Sequence, residues 1–295
     1  MHVLVTGGSG FIGTALCRQL FHAGHAVTVL TRSKTAATGR LPGARVIERL
    51  EDAREIDAIV NLAGEPLAAG RWNAARKQAF RDSRIGTTEA LLHWIESLAR
   101  RPRVLVSGSA IGYYGPRDDT PLDEQAKPGD DFAATLCRDW EAAAFKARDL
   151  GLRVCVLRTG IVLGHDGGAL SQMLTPFRMG MGGPMGDGRQ WMSWVRRGDL
   201  VRLILWLLQN ESARGAYNGT APGPVSNREF ARTLGAVLKR PAVLPMPALV
   251  LKLMFGEMAE ALLLTGQRVL PGKAEAEGFE FQFRELGPAL KDLLR

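Results

Sequence analysis

The chain has 295 residues and a formal net charge of +8, with 46% hydrophobic and 23% charged residues. This composition is close to that of ordinary globular proteins, and it excludes disordered, collagen-like and fibrous classes. The three cysteines lie far apart without a CxxC pair, so we expect a reducing cytoplasm, no disulfide framework and no metal site.

Short apolar runs alternate with helical patterns through the first half of the chain. We predict helices at 11–20, 76–98 and 132–150, and strands at 3–5, 27–30, 58–63, 104–107 and 154–157. Strands that alternate with helices form βαβ units with right-handed crossovers. The sequence therefore predicts an α/β fold with a Rossmann-type doubly wound parallel sheet.

The pattern changes after Gly164. Glycine and methionine interleave between residues 167 and 188, which predicts a mobile loop region. Helices at 199–208, 227–238 and 247–264 and a strand at 216–218 follow. We expect a dinucleotide-binding domain and a smaller, mostly helical C-terminal substrate lobe, with the ligand between them. The first comprises 1–165 plus about 195–220, and the second comprises 166–194 and 221–295.

The first strand leads into a glycine-rich turn. Gly7, Gly10 and Gly13 have the spacing GxxGxxG, with a strand before them and a helix after them. Such glycines allow a tight turn, close approach of the backbone to a pyrophosphate at a helix N-terminus, and close packing of helix on strand. The turn predicts a dinucleotide site, and the alternative is an ordinary glycine-rich βα turn.

The residues after the second strand bear on the choice of cofactor. Sites that prefer NAD usually place Asp or Glu there, but Leu30 is followed by Thr31, Arg32, Ser33 and Lys34. A guanidinium can pair bidentately with a 2′-phosphate, and Ser33 and Lys34 can assist. We therefore predict NADP(H) as the cofactor, although a solvated Arg32 is the alternative.

The charge and hydropathy patterns also limit the partners. The basic residues are scattered rather than gathered into one tract, which favours a solvated surface over nucleic-acid binding. Met1 runs directly into a strand without a signal-peptide pattern, and charges interrupt the longest apolar stretches. We expect a small-molecule substrate, no nucleic-acid or membrane partner, and a monomer or homodimer.

Several motifs together resemble the extended short-chain dehydrogenase/reductase superfamily: TGGSGFIG at the N-terminus, Asn-Leu-Ala-Gly at 61–64 and Ser-Gly-Ser-Ala at 107–110. The stretches at 71–72, 137–141, 188–194 and 267–271 resemble its atypical, epimerase-like branch more narrowly. Members of that branch are similar in fold to NAD(P)-dependent sugar-nucleotide epimerases and carry a family-specific C-terminal domain. The resemblance covers the whole chain and implies no particular substrate.

The resemblance also implies which residues form the cofactor site. The residues implied at the pyrophosphate are Gly7, Gly10, Phe11, Ile12 and Gly13. Those implied at the adenosine and ribose are Leu62, Ala63 and Gly64. The predicted cofactor contacts also include Thr6, Thr31, Ser33 and Ser107. Ser109 matches the catalytic serine of the superfamily.

The partner groups of that serine are missing. Typical members pair it with a Tyr four residues before a Lys, because the ammonium favours the phenolate that relays a proton. No YxxxK occurs in this chain, and counting back from Leu157-Arg158 places Leu136 and Trp140 at the two positions. A shift of one residue gives Cys137 and Glu141 instead.

Other side chains are candidates for the missing roles. Tyr113 and Tyr114 follow Ser109 closely, and each either transfers a proton or packs against the cofactor or a lid. A lid formed by the Gly/Met region would bring Trp191, Trp194 and Arg196 to the substrate, whereas the alternative is that both tryptophans pack the lobes together.

The sequence thus predicts an NADP(H)-binding oxidoreductase or epimerase-like enzyme. Its substrate would be a small carbonyl, alcohol or sugar nucleotide, with Ser109 polarising a substrate oxygen. The alternative is a catalytically silent NADPH-binding sensor or regulatory module, because the YxxxK pair is missing.

Overall fold

The computed structural model describes residues 1–295, except for the side chain of Ala36. Strands and helices alternate through the first half, as predicted. The elements are β1 (His2–Thr6), α1 (Phe11–His22), β2 (Ala26–Leu30), α2 (Lys34–Arg40), β3 (Arg45–Ile47), β4 (Ala58–Asn61), α3 (Ala74–Arg81), α4 (Thr87–Glu96), β5 (Val104–Ala110), β6 (Pro121–Leu122), α5 (Phe132–Phe145) and β7 (Arg153–Thr159).

The second half contains shorter strands and more helix. Its elements are β8 (Ile161–Gly164), α6 (Gly168–Arg178), β9 (Trp191–Met192), β10 (Trp194–Arg196), α7 (Arg197–Gln209), β11 (Gly215–Gly219), β12 (Val225–Ser226), α8 (Asn227–Leu238), α9 (Ala248–Phe255), α10 (Glu257–Ala259), β13 (Arg268–Val269), α11 (Gly272–Ala276) and α12 (Leu286–Leu293). No helix of the described chain is long and apolar enough to span a membrane.

The main sheet is parallel and follows the order β11-β7-β5-β4-β1-β2-β3 across the described residues. This is the predicted Rossmann-type sheet, whose order reverses between β1 and β4. The sheet also includes β3, which the sequence pattern did not predict because Arg45–Ile47 is too short to show a period.

Helices cover both faces of the sheet. On one face α1 and α7 pack through residues such as Leu16, Leu20 and Leu203. On the other face α4 and α5 pack through residues such as Leu91 and Ala144. Because both faces are buried, the strands read as continuous apolar runs rather than as alternating ones.

The register places several polar residues at the carboxyl edge of the sheet. Thr6 pairs with Leu30 on one side and with Asn61 on the other, and Asn61 pairs with Ser107. Ser109, two residues further along β5, lies opposite Arg158. Ligands of open α/β sheets bind at this edge.

The prediction of a mobile loop over residues 167–188 is wrong for its first half. Residues 168–178 form α6, which buries Leu170, Leu174 and Phe177 on one face against α8 and α12. The helical spacing of these apolar residues was present in the sequence, but the flanking glycines obscured it.

Three of those glycines surround the side chain of Phe11. A Cβ added to Gly164, Gly167 or Gly168 would lie 2.7–2.8 Å from the Phe11 ring. The Arg197 guanidinium lies 4.5 Å from the centroid of the same ring. These glycines therefore form a close-fitting socket for the first residue of α1 rather than a flexible hinge.

The close approach of α1 to β1 gives a testable prediction. A Cβ on Gly13 would collide with the carbonyl oxygen of Gly7, so Gly13→Ala should destabilise the protein by about 1–3 kcal/mol. Gly86→Ala is the matched control, because it is helical and a Cβ there meets no described atom within 4 Å. Gly86→Ala should leave the free energy of unfolding unchanged or raise it by about 0.5–1 kcal/mol. Urea unfolding measures both, and equal effects would contradict the packing argument.

Candidate functional site

A cleft of ≈ 540 Å³ opens at the carboxyl ends of β1, β2 and β4. Most of the residues predicted to bind a cofactor line it, together with several that the sequence did not single out. The lining residues are Thr6, Gly7, Ser9, Gly10, Leu30, Thr31, Arg32, Ser33, Arg40, Glu48, Leu62, Ala63, Gly64, Glu65, Ser83 and Thr87.

The glycine turn forms the floor of this cleft. Gly7 has φ +66°, and a Cβ there would lie 2.7 Å from the Leu62 carbonyl oxygen, so other residues would be both strained and too large. The Gly10 amide donates to the Gly7 carbonyl at 3.0 Å, which closes the turn at the start of α1. The first turn of α1 carries no acidic side chain among the described residues, so its positive dipole end is available to an anion.

Thr6 connects β1 to the loop after β4. Its hydroxyl donates to Asn61 Oδ1 at 2.6 Å and accepts the amide of Ala63 at 3.1 Å. Asn61 in turn donates to the Thr88 hydroxyl at 2.9 Å, on α4. Thr6 therefore fixes the Leu62–Gly64 backbone beside the glycine turn.

Charged side chains face each other across the cleft. Arg32, whose side chain is 90% exposed, pairs with Glu65 at 2.9 Å. Arg40 donates to the Ser9 carbonyl at 3.2 Å, and Glu48 accepts the Lys34 amide at 3.1 Å. Arg40, Glu48 and Glu65 were missed by the sequence because they come from three separate segments that only the fold brings together.

The remaining predicted cofactor residues differ in their exposure. Thr31 lines the cleft, and its hydroxyl accepts the Ser33 amide at 3.2 Å. Ile12 packs its side chain against the main core. Ser107 is fully buried in β5, and its hydroxyl points to the Gly108 carbonyl at 3.4 Å. Only the main chain of Ile12 is therefore suited to contact a ligand, and Ser107 is sealed within the sheet.

Ser109 is the first member of a buried polar network. Its hydroxyl donates to Glu141 Oε1 at 2.7 Å. Arg158 holds the same carboxylate bidentately, with Nε–Oε1 at 2.8 Å and Nη2–Oε2 at 2.9 Å. Burial lowers the pKa of Arg158, but the hydrogen bonds and charge of Glu141 outweigh burial and raise it overall. With its own proton engaged, Ser109 can offer a ligand an acceptor but not a donor.

The network also decides between the two alignments of the missing YxxxK pair. Leu136 packs in an apolar cluster with Trp72 and Phe80, whereas Glu141 contacts Ser109 directly. Cys137 lies beside Ser109, and burial raises the pKa of its thiol to about 12. A neutral thiol and an ion-paired carboxylate thus stand where the superfamily has a phenol and an ammonium.

The two candidate tyrosines lie in a 3-10 helix, residues 111–114, at the end of β5. Tyr114 is fully buried, donates to Asn218 Oδ1 at 2.7 Å and accepts from Arg158 at 3.0 Å. Burial raises the pKa of Tyr114 to about 12. The predicted catalytic role is therefore not supported for Tyr114, because its hydroxyl is committed to the interior. Tyr113 is partly exposed, and the Arg158 guanidinium lies 3.5 Å from its ring centroid.

The structure separates the three residues predicted to contact the substrate. Trp194 is fully buried and donates to the Gly223 carbonyl at 2.8 Å, so it packs the lobe instead. Arg196 pairs with Asp292 of α12, which likewise argues against a substrate contact. Trp191 is partly exposed, donates to Asp119 at 2.8 Å and lies under the Arg268 guanidinium, so it stays a candidate.

A further cation, Arg84, lies behind the cleft. It belongs to the π-helical turn, residues 82–86, that joins α3 to α4. Its Nη2 donates to the Glu65 carbonyl at 2.9 Å, and a Cβ on Gly64 would lie 2.9 Å from its guanidinium carbon. Such π-turns are frequent at functional sites. No group of three or more His, Cys, Asp or Glu residues suited to a metal occurs within the described part of the chain.

Comparisons with protein families cover most of the chain. The model described as NAD dependent epimerase/dehydratase family matches residues 3–218. The model of the domain of unknown function DUF1731 matches residues 246–293, which include α9 to α12.

Individual relatives match over the full length. The chain is 43% identical over 305 residues to the chloroplastic epimerase family protein SDR39U1 homolog of Arabidopsis thaliana, covering 100% of this chain and 87% of that protein. The solved structure of human epimerase family protein SDR39U1 with NADPH is 39% identical, has a TM-score of 0.91, and covers 99% of both chains. The nucleoside-diphosphate sugar epimerase of Corynebacterium glutamicum is 32% identical with a TM-score of 0.80, covering 100% of this chain and 58% of that one.

The buried ion pair gives a second prediction. Arg158→Met leaves the Glu141 carboxylate buried without its partner, so it should cost about 3–5 kcal/mol in the free energy of unfolding. Combining it with Glu141→Gln removes the uncompensated charge, so the double variant should recover part of that loss. Urea unfolding measures the free energy of unfolding of each variant, provided that its m-value equals that of the wild type.

The matched control is the exposed pair Arg49–Glu51, whose side chains are 75% and 71% exposed. Arg49→Met should change stability by no more than about 1 kcal/mol. A double variant less stable than both single variants would show that the pair acts through packing rather than through charge.

Proposed function

The chain belongs to the NAD dependent epimerase/dehydratase family, and from this premise we propose that it binds NADP(H) in the cleft at the ends of β1, β2 and β4. It then acts as an oxidoreductase or epimerase-like enzyme on a small carbonyl, alcohol or sugar-nucleotide substrate. The observation that carries the proposal is the glycine turn, where a Cβ on Gly7 would collide with the Leu62 carbonyl, a Cβ on Gly10 would crowd the Gly7 carbonyl, and the α1 N-terminus faces the cleft.

Two guanidinium groups favour the phosphorylated cofactor. Arg32 and Arg40 both line the cleft, and a guanidinium forms charge-assisted, bidentate hydrogen bonds with phosphate. Arg32 pairs with Glu65, and the 2′-phosphate would take over the place of that carboxylate. The human relative whose structure contains NADPH is consistent with this assignment.

When bound, NADP(H) would supply the hydride donor or acceptor. Ser109 would orient the substrate by accepting a hydrogen bond from its hydroxyl group, since Glu141 already holds the serine proton. The Glu141–Arg158 pair keeps Ser109 in this orientation through its own bidentate hydrogen bonds. Tyr113 is the phenol best placed to transfer a proton, because it is partly exposed where Tyr114 is sealed.

One observation favours a second candidate function. Cys137, with a thiol pKa of about 12, and the ion-paired Glu141 stand at the positions of the usual proton relay. Neither group reproduces a phenolate stabilised by an ammonium. A catalytically silent NADPH-binding sensor is therefore the alternative to the enzyme.

The location and assembly of the protein stay predictions. The cysteines of the described chain are free and buried, consistent with the reducing cytoplasm that we expect. A monomer or a homodimer and the absence of a nucleic-acid partner likewise remain expectations from the sequence.

The cofactor assignment predicts that NADPH binds at least about tenfold more tightly than NADH, because a charge-assisted contact to phosphate contributes roughly 1.5–3 kcal/mol. Arg32→Asp should remove most of that difference. Fluorescence titration of both cofactors against the wild type and the variant measures it. Equal affinities of the wild type for NADPH and NADH would contradict the assignment.

Glu65→Gln is the companion variant. It removes the charge that competes for Arg32, so NADPH affinity should rise by a few-fold while NADH affinity changes less. Glu51→Gln, which lies in an exposed pair outside the cleft, serves as the control and should leave both affinities unchanged.

The catalytic assignment predicts unequal effects of three hydroxyl deletions. Ser109→Ala removes the acceptor that positions the substrate and should slow turnover by roughly 10²-fold. Tyr113→Phe should slow it by on the order of 10²-fold if its phenol transfers the proton. Tyr114→Phe should lower stability by about 1–3 kcal/mol and retain turnover, because its buried partners lose a hydrogen bond.

Turnover is measured with NADP(H) and a panel of carbonyl, alcohol and sugar-nucleotide compounds. Full turnover in both Ser109→Ala and Tyr113→Phe would show that catalysis does not depend on Ser109. Tight NADPH binding with no turnover of any compound would instead favour the silent sensor.

A further inference from the structure

The exposed apolar side chains are concentrated in one region of the C-terminal lobe. Apart from Met1, every large apolar side chain that is exposed in the described chain belongs to residues 178–186 or to residues 239–256, and we call these two segments together the α9 surface. Its exposed members are Met179, Met181, Val243, Leu244, Met246, Leu249, Val250, Leu253 and Met254.

The centre of this surface is α9, with the sequence ALVLKLMF. Apart from Lys252 its residues are apolar, and a helix that is apolar around most of its circumference is normally buried. Here only Leu251 is buried, while Leu249 and Leu253 are 69% and 67% exposed. The fold of this chain therefore leaves most of the helix uncovered.

The two segments form one continuous surface. The Met246 amide donates to the Pro184 carbonyl at 2.8 Å, and the Gly186 amide donates to the Met246 carbonyl at 2.9 Å. Arg240 Nε donates to the Arg178 carbonyl at 3.0 Å. Exposed apolar side chains that are concentrated in two hydrogen-bonded segments are typical of an interaction site.

The charges within the two segments have one sign, although Asp187 and Glu257 directly follow the segments and Glu257 pairs with Lys77. The two segments contain Arg178, Lys239, Arg240 and Lys252 and neither Asp nor Glu. Lys252 pairs with Glu260 at the edge of the surface, but no ion pair forms to the other three among the described side chains. An exposed Arg71, which donates to the Leu253 carbonyl, adds another cation beside α9.

This combination selects among possible occupants. A second copy related by a two-fold axis would bring together two patches whose segments carry cations and no carboxylate, and this like-charge repulsion disfavours a homodimer. The two segments also lack Trp and Tyr, the residues that usually dominate protein–protein hot spots. Flexible Met, Leu and Val side chains rimmed by cations instead match the boundary between acyl chains and anionic headgroups.

In contrast to the expectation of no membrane partner from the sequence, we propose that the α9 surface docks the protein reversibly on a lipid bilayer that contains anionic headgroups. The exposed side chains of α9 and Met179 would enter the headgroup–acyl boundary, and the rim of Arg and Lys would pair with phosphates. With eight residues, α9 is far too short to cross the bilayer, so the attachment is peripheral. This proposal is independent of the proposed enzymatic function.

Flotation of the full chain with vesicles tests the proposal. Vesicles of phosphatidylcholine with 30% phosphatidylglycerol should carry the protein upward at low salt, and pure phosphatidylcholine vesicles should carry much less. Raising the salt to 0.5 M should weaken binding, because screening removes the electrostatic contribution. No binding to the anionic vesicles would overturn the proposal.

Two double variants separate the apolar and electrostatic contributions. Leu249→Ser/Leu253→Ser and Arg178→Gln/Lys239→Gln should each lower the partition coefficient by about tenfold or more. Arg18→Gln/Lys291→Gln removes the same charge from exposed positions outside the surface and should lower it much less. Unchanged melting temperatures verify that each variant is folded.

Two further outcomes would overturn the proposal. Equal loss of binding in the Arg178/Lys239 and the Arg18/Lys291 variants would show only a general effect of net charge, and would overturn the docking site. Sedimentation that reveals a wild-type dimer, with monomers of the Leu249/Leu253 variant, would identify a second copy as the occupant and overturn it as well.

Discussion

The ion pair between Glu141 and Arg158 is the interaction on which the arrangement around Ser109 depends. It joins α5 to β7, and its two partners hold Ser109 at the end of β5 and Tyr114 in the following 3-10 helix. Because a buried carboxylate is costly without its counter-charge, none of these groups can move independently. The network engages the hydroxyl proton of Ser109 and withdraws the hydroxyl group of Tyr114 from solvent.

A second constraint operates at the glycine turn, where main-chain segments approach each other closely. Gly7 lies against the Leu62 carbonyl and Gly13 against the Gly7 carbonyl, so the first turn of α1 is held over the ends of β1 and β4. Side chains contribute mainly at the rim, where Arg32, Arg40 and Glu65 adjust the charge. The glycine turn at the ends of β1 and β4 is therefore formed mainly by main-chain atoms. The region around Ser109 is formed by buried side chains.

This difference explains which features of the fold and of the site could be predicted from the sequence. Most strands of the main sheet, their parallel direction and the glycine turn follow from short apolar runs and glycine spacing, which are local signals. Glu65 and Arg40 could not be predicted, since only the fold brings their loops to Arg32. One of two alignments placed Glu141 at the position of the missing Lys, but the sequence did not predict its contact with Ser109. Trp194 and Arg196 were placed at the substrate because sequence cannot show which face of a two- or three-residue strand is buried.

The socket around Phe11 has an evolutionary consequence. Gly164, Gly167 and Gly168 lie within van der Waals reach of one ring, although they are separated from it by about half of the chain. A larger residue at any of the three would require a smaller one at position 11, and a smaller residue there would leave a void between the cofactor helix and α6. These four positions are thus expected to be inherited as a set. Their joint pattern, rather than the glycine turn alone, can distinguish this branch among proteins that share the same sheet.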